Sequence, residues 1–405
     1  MATFQGITAS NTLDSKQKVP SFADALTRLM PNGVAPLYLL MSKLGEGTAL
    51  QIEHGYWTET VPFPAMTLSA LVADGVATTF TVVATTDIVP GSTFRVQSTG
   101  EIVRVETVVS GTSITVTRAV GNVAGAAVAN SVKLYQVGSA FEEASTRPTA
   151  QRLQQSYVSN YTQIFRNTWA SAGTVEALKF WEQAGGNPVA KDKQDSAMFH
   201  ARDIEMAIWW GQKFLGTKNG QPFHTMDGVE STIRTLAPAA NITTAGATTN
   251  YSQLIAALDP TFNVITSMQS GNKRLAFTGS TGINVINQIG RLNGTYQLMY
   301  GQTEFGLQFS SFKIPRGEFI LIEHPLFNSN VDWAKNLFAV DLNVAKLMYL
   351  SGRKTKYSAF GVNGPISTDN SIDAVGGVYT SELTMEIRNP AAFGVIYGLT
   401  AGAQG

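Results

Sequence analysis

At 405 residues the chain is longer than one hydrophobic core usually serves, so two or more domains are expected. Only 14% of residues are charged, against roughly 25% in an average soluble domain, which predicts a surface largely covered by other chains. The formal net charge of zero gives no long-range attraction to nucleic acid or an anionic membrane, and the absence of cysteine excludes a disulfide scaffold, a thiol nucleophile and a thiolate metal site.

Residues 1–20 are polar and without periodicity, which predicts an extended arm, and no apolar run there has the length of a signal peptide or a membrane span. Ser21–Leu29 has the spacing of a short amphipathic helix, Pro31-Asn32-Gly33 stops it, and a second helix is expected over Leu37–Leu44. Gln51–Val61 reads as extended, with Tyr56 and Trp57 as packing anchors.

Residues 68–137 change character. Short Val/Thr/Ile runs at 79–84, 93–98, 101–108, 113–118 and 131–135 are separated by Pro-Gly, Thr-Gly and Ser-Gly turns, predicting an inserted unit of about five strands. The stretch 151–177 mixes Tyr157, Tyr161, Ile164, Phe165 and Trp169 with Gln, Asn and Arg. Such a mixture suits a partly wet interface, and equally a segment packed on its own fold. A short helix is expected over Glu176–Ala184.

A long helix is expected over Lys191–Leu215. At helical spacing Ala197, Ala201, Ile204, Ile208, Gly211 and Leu215 share one line, and Phe199, Met206, Trp210 and Phe214 gather nearly opposite, so both faces call for partners. Arg202 and Glu205 are spaced to pair on its flank. Beyond Gly216, LGTKNGQPFHTMDG reads as a loop, followed by a mixed α/β region of about a hundred residues: helices over 251–258 and 283–291, strands over 273–278, 305–313 and 318–323. Strands over 337–342 and 345–350 precede Val378–Ile387 and Ala392–Leu399, which are expected to pair as an antiparallel ribbon and, with the long helix, form an α+β layer.

Motifs for chemistry are sparse. His200 with Asp203 reads as a satisfied helix residue. His54 and His324 each follow a glutamate in an apparent strand, where neighbouring side chains point to opposite faces, and His224 with Asp227 lies in a glycine-rich loop. The turn Leu275–Gly282 runs from strand to helix, the geometry of an anion cradle, but without a lysine partner or dinucleotide spacing. Arg353, Lys354 and Lys356 form a small basic cluster suited to phosphate contact or to solvation. No metal-ligand, Walker or nucleophile-elbow pattern occurs, so the expected catalytic, cofactor-binding and metal residues are none, the protein is expected not to be an enzyme, and no cofactor is expected.

The arm leading to SFADALTRLMPNG and PLYLLMSKL, the extended QIEHGYWTET, the β insertion, SYVSNYTQIFRNTWASAGT and the helix ending in EMAIWWGQKFLG together resemble the major capsid proteins of tailed bacteriophages, in the SU10-type branch. The resemblance covers most of residues 20–240. It implies an α+β, HK97-like capsid fold with an inserted small all-β domain. In this chain that places the arm and short helices at 1–50, the start of an extended loop at 51–67 and the insertion at 68–137. The loop then returns over 138–190, the spine helix of a peripheral domain follows at 191–224, an axial domain at 225–336 and the peripheral ribbon at 337–405.

The function implied is a structural shell subunit, assembled in the bacterial cytoplasm as pentamers and hexamers of itself around double-stranded DNA. Scaffolding, decoration and portal proteins are the implied partners, contacts with DNA are non-specific, no membrane is involved, and no covalent cross-links are expected. The alternatives from other classes are a carbohydrate-binding or adhesive module built on the insertion, and a hydrolase. Residues 68–137 offer only Phe80, Phe94 and Tyr135 as aromatics for a sugar, and no nucleophile, histidine and acid share a motif.

Overall fold

The computed structural model describes residues 33–59, 61, 63–148, 150–178, 188–246, 248–263, 272–292, 299–304, 307–360 and 374–400. The expected arm at 1–20 and helix at 21–29 lie outside them. The chain divides into two compact units, Trp57–Tyr157 and the remainder.

Trp57–Tyr157 contains a six-stranded antiparallel sheet in the order Ala65–Thr67, Lys133–Ser139, Ser92–Val96, Ile102–Ser110, Ser113–Thr117, Thr79–Thr81. The two outer strands meet through a bridge between Leu68 and Val82, reinforced by Ser69 N–H donating to Thr81 O and Val83 N–H to Thr67 O, so the sheet closes on itself as a barrel. Closure leaves neither outer strand a free edge. Alternation makes this possible: Phe94, Val96, Val103, Val105, Ile114, Val116 and Leu134 all point into one core with Met66, Leu68, Phe80, Val82 and Val128. One strand more is present than the five expected, because Ala65–Thr67 is too short to announce itself by periodicity.

In the larger unit the long helix runs Pro188–Trp210, beginning three residues before the expected Lys191 and stopping five before Leu215. Its buried stripe is Ser196, His200, Ile204, Ile208, with Glu205 and Trp209 beside it. Ile204 and Ile208 lie on the predicted line, but N-terminal to them the buried positions are Ser196 and His200 where Ala197 and Ala201 were expected, and Phe199 on the opposite side is 48% exposed. Arg202 pairs with Asp203 at 3.1 Å and not with the expected Glu205, which is fully buried. The stop has a steric cause. Gly228 N–H donates to Gly211 O at 2.9 Å, and a Cβ on Gly211 would lie 2.6 Å from Met226 O, so the chain crosses there at a distance only glycine permits.

The helix packs on a sheet in which Glu46–Ala49, Ala345–Leu350, Ala374–Ile387 and Gln163–Ala172 are successive neighbours and Lys356–Phe360 also pairs with Ala374–Ile387. Along Gln163–Ala172 the period is two: Phe165, Trp169 and Ser171 are buried while Ile164, Arg166, Thr168 and Ala170 face outward. Within the stretch 151–177, one face of this strand packs on its own fold and the other is exposed. Gly173–Ala177 is helical, and most of the helix expected over 176–184 lies outside the described residues.

A second sheet of seven strands runs in the order Ile242–Thr244, Gly394–Tyr397, Leu337–Val340, Lys273–Thr278, Gly317–Glu323, Leu307–Ile314, Met299–Glu304. One face sends Phe277, Ile322, Phe338 and Val395 against Trp209 and the helix Val229–Leu236. The other sends Ala276, Phe319, Leu321 and Ile396 against Tyr251–Leu258 and Ser280–Leu292. The expected ribbon between Val378–Ile387 and Ala392–Leu399 is not formed: Ala374–Ile387 stays in the first sheet, and Gly394–Tyr397 crosses into the second beside Leu337–Val340. Arg388-Asn389-Pro390 ends the first strand and starts a 3-10 turn instead of a hairpin.

Candidate assembly surfaces

Sequence reasoning offered no catalytic residue, and the structure brings none of the four histidines together. His200, buried on the spine, donates Nδ1–H to Asn167 Oδ1 at 2.8 Å and accepts at Nε2 from the Ser381 hydroxyl at 2.7 Å. Asn167 reaches on to Asp203 at 2.8 Å, and Ser381 lies 2.8 Å from the Thr355 hydroxyl. Burial pushes the imidazole below its ordinary value, with Asp203 pulling weakly the other way. A neutral ring wedged between helix and sheet is a structural crosspiece.

His324 follows the strand Gly317–Glu323 and is fully buried. Its Nδ1 accepts the Leu326 amide at 3.2 Å, which places the ring hydrogen on Nε2, donated to Glu205 Oε1 at 2.7 Å. Trp209 Nε1–H donates to the same oxygen at 3.0 Å. Glu205 also accepts the backbone amides of Leu37 at 3.0 Å and Tyr38 at 2.6 Å, the first turn of the helix Pro36–Leu44. That helix has no side-chain cap of its own, so a carboxylate from the spine supplies it and favours the positive end of its dipole. One buried acid therefore ties three segments together.

His54 meets Glu386 at 2.6 Å, and Glu386 also receives Arg388 at 2.5 Å. Tyr56 beside them donates to Ile387 O, and burial, with Glu386 adding, pushes its hydroxyl up to about 12. His224 lies in a strand, not the expected loop, and contacts Thr162 O. Among the described residues no group of His, Asp and Glu could hold a metal ion.

The other candidates are also occupied from within. At the turn Leu275–Gly282 the Ser280 amide donates to Asn328 Oδ1 at 2.8 Å, filling the helix start with a neutral side chain. In the basic cluster, Arg353 pairs with Glu382 and Lys354 with Glu46. A cavity of about 350 Å³ beside Ile242–Thr244 is lined by Thr243, Thr244, Thr249, Leu254 and other uncharged groups, with no acid or base in its lining to activate a hydroxyl.

Inside the barrel the hub is an ion pair. Arg118 forms two 2.6 Å hydrogen bonds with Glu101, whose side chain is fully buried, and also donates to Asp74 O and Ala126 O. Burial alone would raise the Glu101 carboxyl; the Arg118 hydrogen bonds and the Ala119 amide outweigh it and hold the carboxyl below its usual range.

Several large apolar side chains are left uncovered. Phe63 is 93% exposed, Leu50 83% and Trp57 66%, the last meeting the Tyr157 ring at 5.1 Å. A further set sits on a hairpin that sequence reasoning read partly as helix and partly as loop. Phe214–Lys218 pairs with Gln221–Thr225 around Asn219-Gly220, whose φ values of 52° and 74° define a type I′ turn. Asn-Gly is the strongest short-range hairpin signal, and it was available in the sequence. So much exposed apolar surface on a weakly charged chain fits a protein whose neighbours are other protein chains.

Comparison with known proteins gives the following likenesses. The family model described as SU10 major capsid protein matches residues 3–400. A major capsid protein of Pseudomonas phage PaMx41 is 34% identical over 408 residues, spanning 98% of this chain and 97% of that one. Among solved structures, one from Mycobacterium phage Bobi aligns with 96% of this chain and 97% of its own at 9% identity and a TM-score of 0.47. One from Microbacterium phage Oxtober96 aligns with 94% and 96% at 10% identity and a TM-score of 0.47.

Proposed function

The chain belongs to the SU10 major capsid protein family, and from that premise we propose how its parts share the work of building a shell. It is a structural subunit, not an enzyme, that assembles with copies of itself into the icosahedral head of a tailed phage. The observation that carries this reading is the family match along essentially the whole chain, from residue 3 to residue 400. The adhesive alternative has no comparable support, and the barrel presents a filled core rather than an aromatic groove.

The finer assignments are ours. The spine and the sheet on which it lies act as the peripheral framework, the seven-stranded sheet faces the centre of pentamers and hexamers, and the barrel rides on the extended segment. Scaffolding, decoration and portal proteins are the partners, and assembly takes place in the bacterial cytoplasm. The subunit touches packaged double-stranded DNA without sequence preference. Its neutrality is no obstacle, because mobile cations offset most of the phosphate charge. Many weak apolar contacts per subunit become strong together once the shell closes. Without cysteine, disulfide links between subunits are excluded.

Sedimentation and negative-stain imaging test the reading. The chain, alone or expressed with the head genes of its phage, is expected in closed particles of uniform diameter. Heads that form without this chain in their shell would overturn it.

A further inference from the structure

The basic cluster at Arg353, Lys354 and Lys356 is only partly neutralised. Arg353 pairs with Glu382 and Lys354 with Glu46, which leaves Lys356. Strand register carries Lys356 to a second cation. Thr380, on the strand Ala374–Ile387, lies directly opposite Arg166 on one side and Lys356 on the other. Residues directly opposite in an antiparallel pair share a face, so the three side chains form one row across three strands, with the two cations about 10 Å apart at the backbone. The row lies on the face turned away from the spine, since the alternate residues Phe165, Trp169 and Ser381 are the buried ones and Ser381 meets His200. Arg166 and Lys356 are exposed, and neither has an ion pair among the described residues. The next row is Thr168, Val378 and Ser358, and beyond it the Phe360 ring lies over Gly376.

Resting on the shell reading, we propose that this face carries the packaged DNA: Arg166 and Lys356 each take a backbone phosphate, and the Thr380 hydroxyl between them donates to a phosphate oxygen. Gln163–Ala172, Lys356–Phe360 and Ala374–Ser381 contain these two cations and no carboxylate, so no acid on these stretches competes with the phosphates. The next acid along the strand, Glu382, is 3% exposed and already held by Arg353 and the Thr162 hydroxyl. Small side chains beside the row keep the floor low, so a stiff duplex can lie across the sheet while the long cations rise to its backbone. Cations and hydroxyls on a flat sheet reach phosphates and not base edges, which matches contact without sequence preference. A carboxylate of a second copy is the poorer fit. Charge at the centre of a protein interface is sheltered by an apolar surround, and here the surround is Thr168, Ser358 and Thr380. One subunit holds DNA weakly, and many copies on one shell add up.

The test measures binding of a short mixed-sequence duplex to the unassembled full chain by fluorescence anisotropy across a salt series. It compares the unsubstituted chain with Arg166→Gln/Lys356→Gln and with a charge-matched control, Lys43→Gln/Lys218→Gln, all four positions being exposed. Without the row, affinity at low salt is expected to fall at least about tenfold, and the plot of log affinity against log salt to become less steep by about 0.9 for each cation removed. The control is expected to keep the slope of the unsubstituted chain. Should the row variant lose its fold, Lys356→Glu, at the exposed first position of its strand, decides alone. Equal slopes in all three chains, an equal loss in the control, or no duplex binding by the unsubstituted chain overturns the DNA face and leaves the shell reading standing. Unchanged duplex binding with fewer particles in sedimentation makes the row a contact between copies, which also overturns it. Row-dependent binding by a chain that never forms closed particles, alone or with the head genes of its phage, overturns the shell reading and leaves the contact standing.

Discussion

The carboxylate of Glu205, in the middle of the spine, accepts the backbone amide of Leu37, 168 residues earlier in the chain, at 3.0 Å. The short helix that follows residues 1–32 is thereby capped by the long helix that packs on the five-stranded sheet, and His324 joins the same oxygen from the seven-stranded sheet. Removing the acid strands several donors in a dry interior. Glu205→Ala is expected to cost about 3–5 kcal/mol in chemical denaturation. Glu205→Gln, which keeps an acceptor, should cost clearly less; equal costs would show that the carboxylate does not act as the cap.

The adjacent tryptophans separate by environment. Trp209 is fully buried, with Phe277, Phe327 and Phe338 rings all within 5.3 Å, and Trp209→Ala is expected to cost about 3–5 kcal/mol. Trp210, on the aromatic line of the expected helix, is half-buried and stacks on Trp333 at 4.2 Å, so Trp210→Ala should cost less than half as much. Matched urea midpoints for the two variants would contradict this order.

Acid should weaken the subunit partly through His200. Burial holds its folded-state value below the 6.5 of the unfolded chain. Below that pH the unfolded chain binds a proton that the folded chain refuses, so stability falls as pH drops and is regained as pH rises. Denaturation midpoints followed from about pH 7 to about pH 5 should decline less steeply for His200→Gln than for the unsubstituted chain. Parallel profiles would assign the acid sensitivity to other groups.

The barrel has a core of its own, so residues 57–157 expressed alone are expected to unfold cooperatively. Within that fragment, Glu101→Ala leaves the Arg118 charge buried and unpaired and should cost about 3–5 kcal/mol. A fragment with the circular dichroism of a coil would show that the barrel depends on the rest of the chain.

Elements governed by local pattern were legible. The strand runs of the barrel, the helix Tyr251–Leu258 and the strands Lys273–Thr278 and Ala345–Leu350 follow from periodicity and turn residues within a dozen positions. The spine was found with its ends misplaced, because continued apolar spacing through Phe214 and Leu215 concealed a stop set by Gly211 meeting Gly228. Long-range choices were not legible. Nothing near Glu205 announces that its partners are Leu37 and His324, and nothing in Gly394–Tyr397 says that it leaves the ribbon for another sheet. The assembly role itself came from resemblance and from low charge, since lattice contacts are made by surfaces whose partner lies outside the chain.

The segments on either side of the barrel, Glu53–Thr58 and Ser156–Tyr161, are paired strands, so the chain departs and comes back one strand spacing apart, about 5 Å. A gap that narrow is spanned by almost any folded module whose termini are adjacent, at a loop-closure cost that grows only logarithmically with the length inserted. The position is thus a socket. Gene exchange could swap what is plugged there, or an engineer could replace the barrel with an antigen or enzyme displayed once per subunit, while the register of every other strand stays as it is.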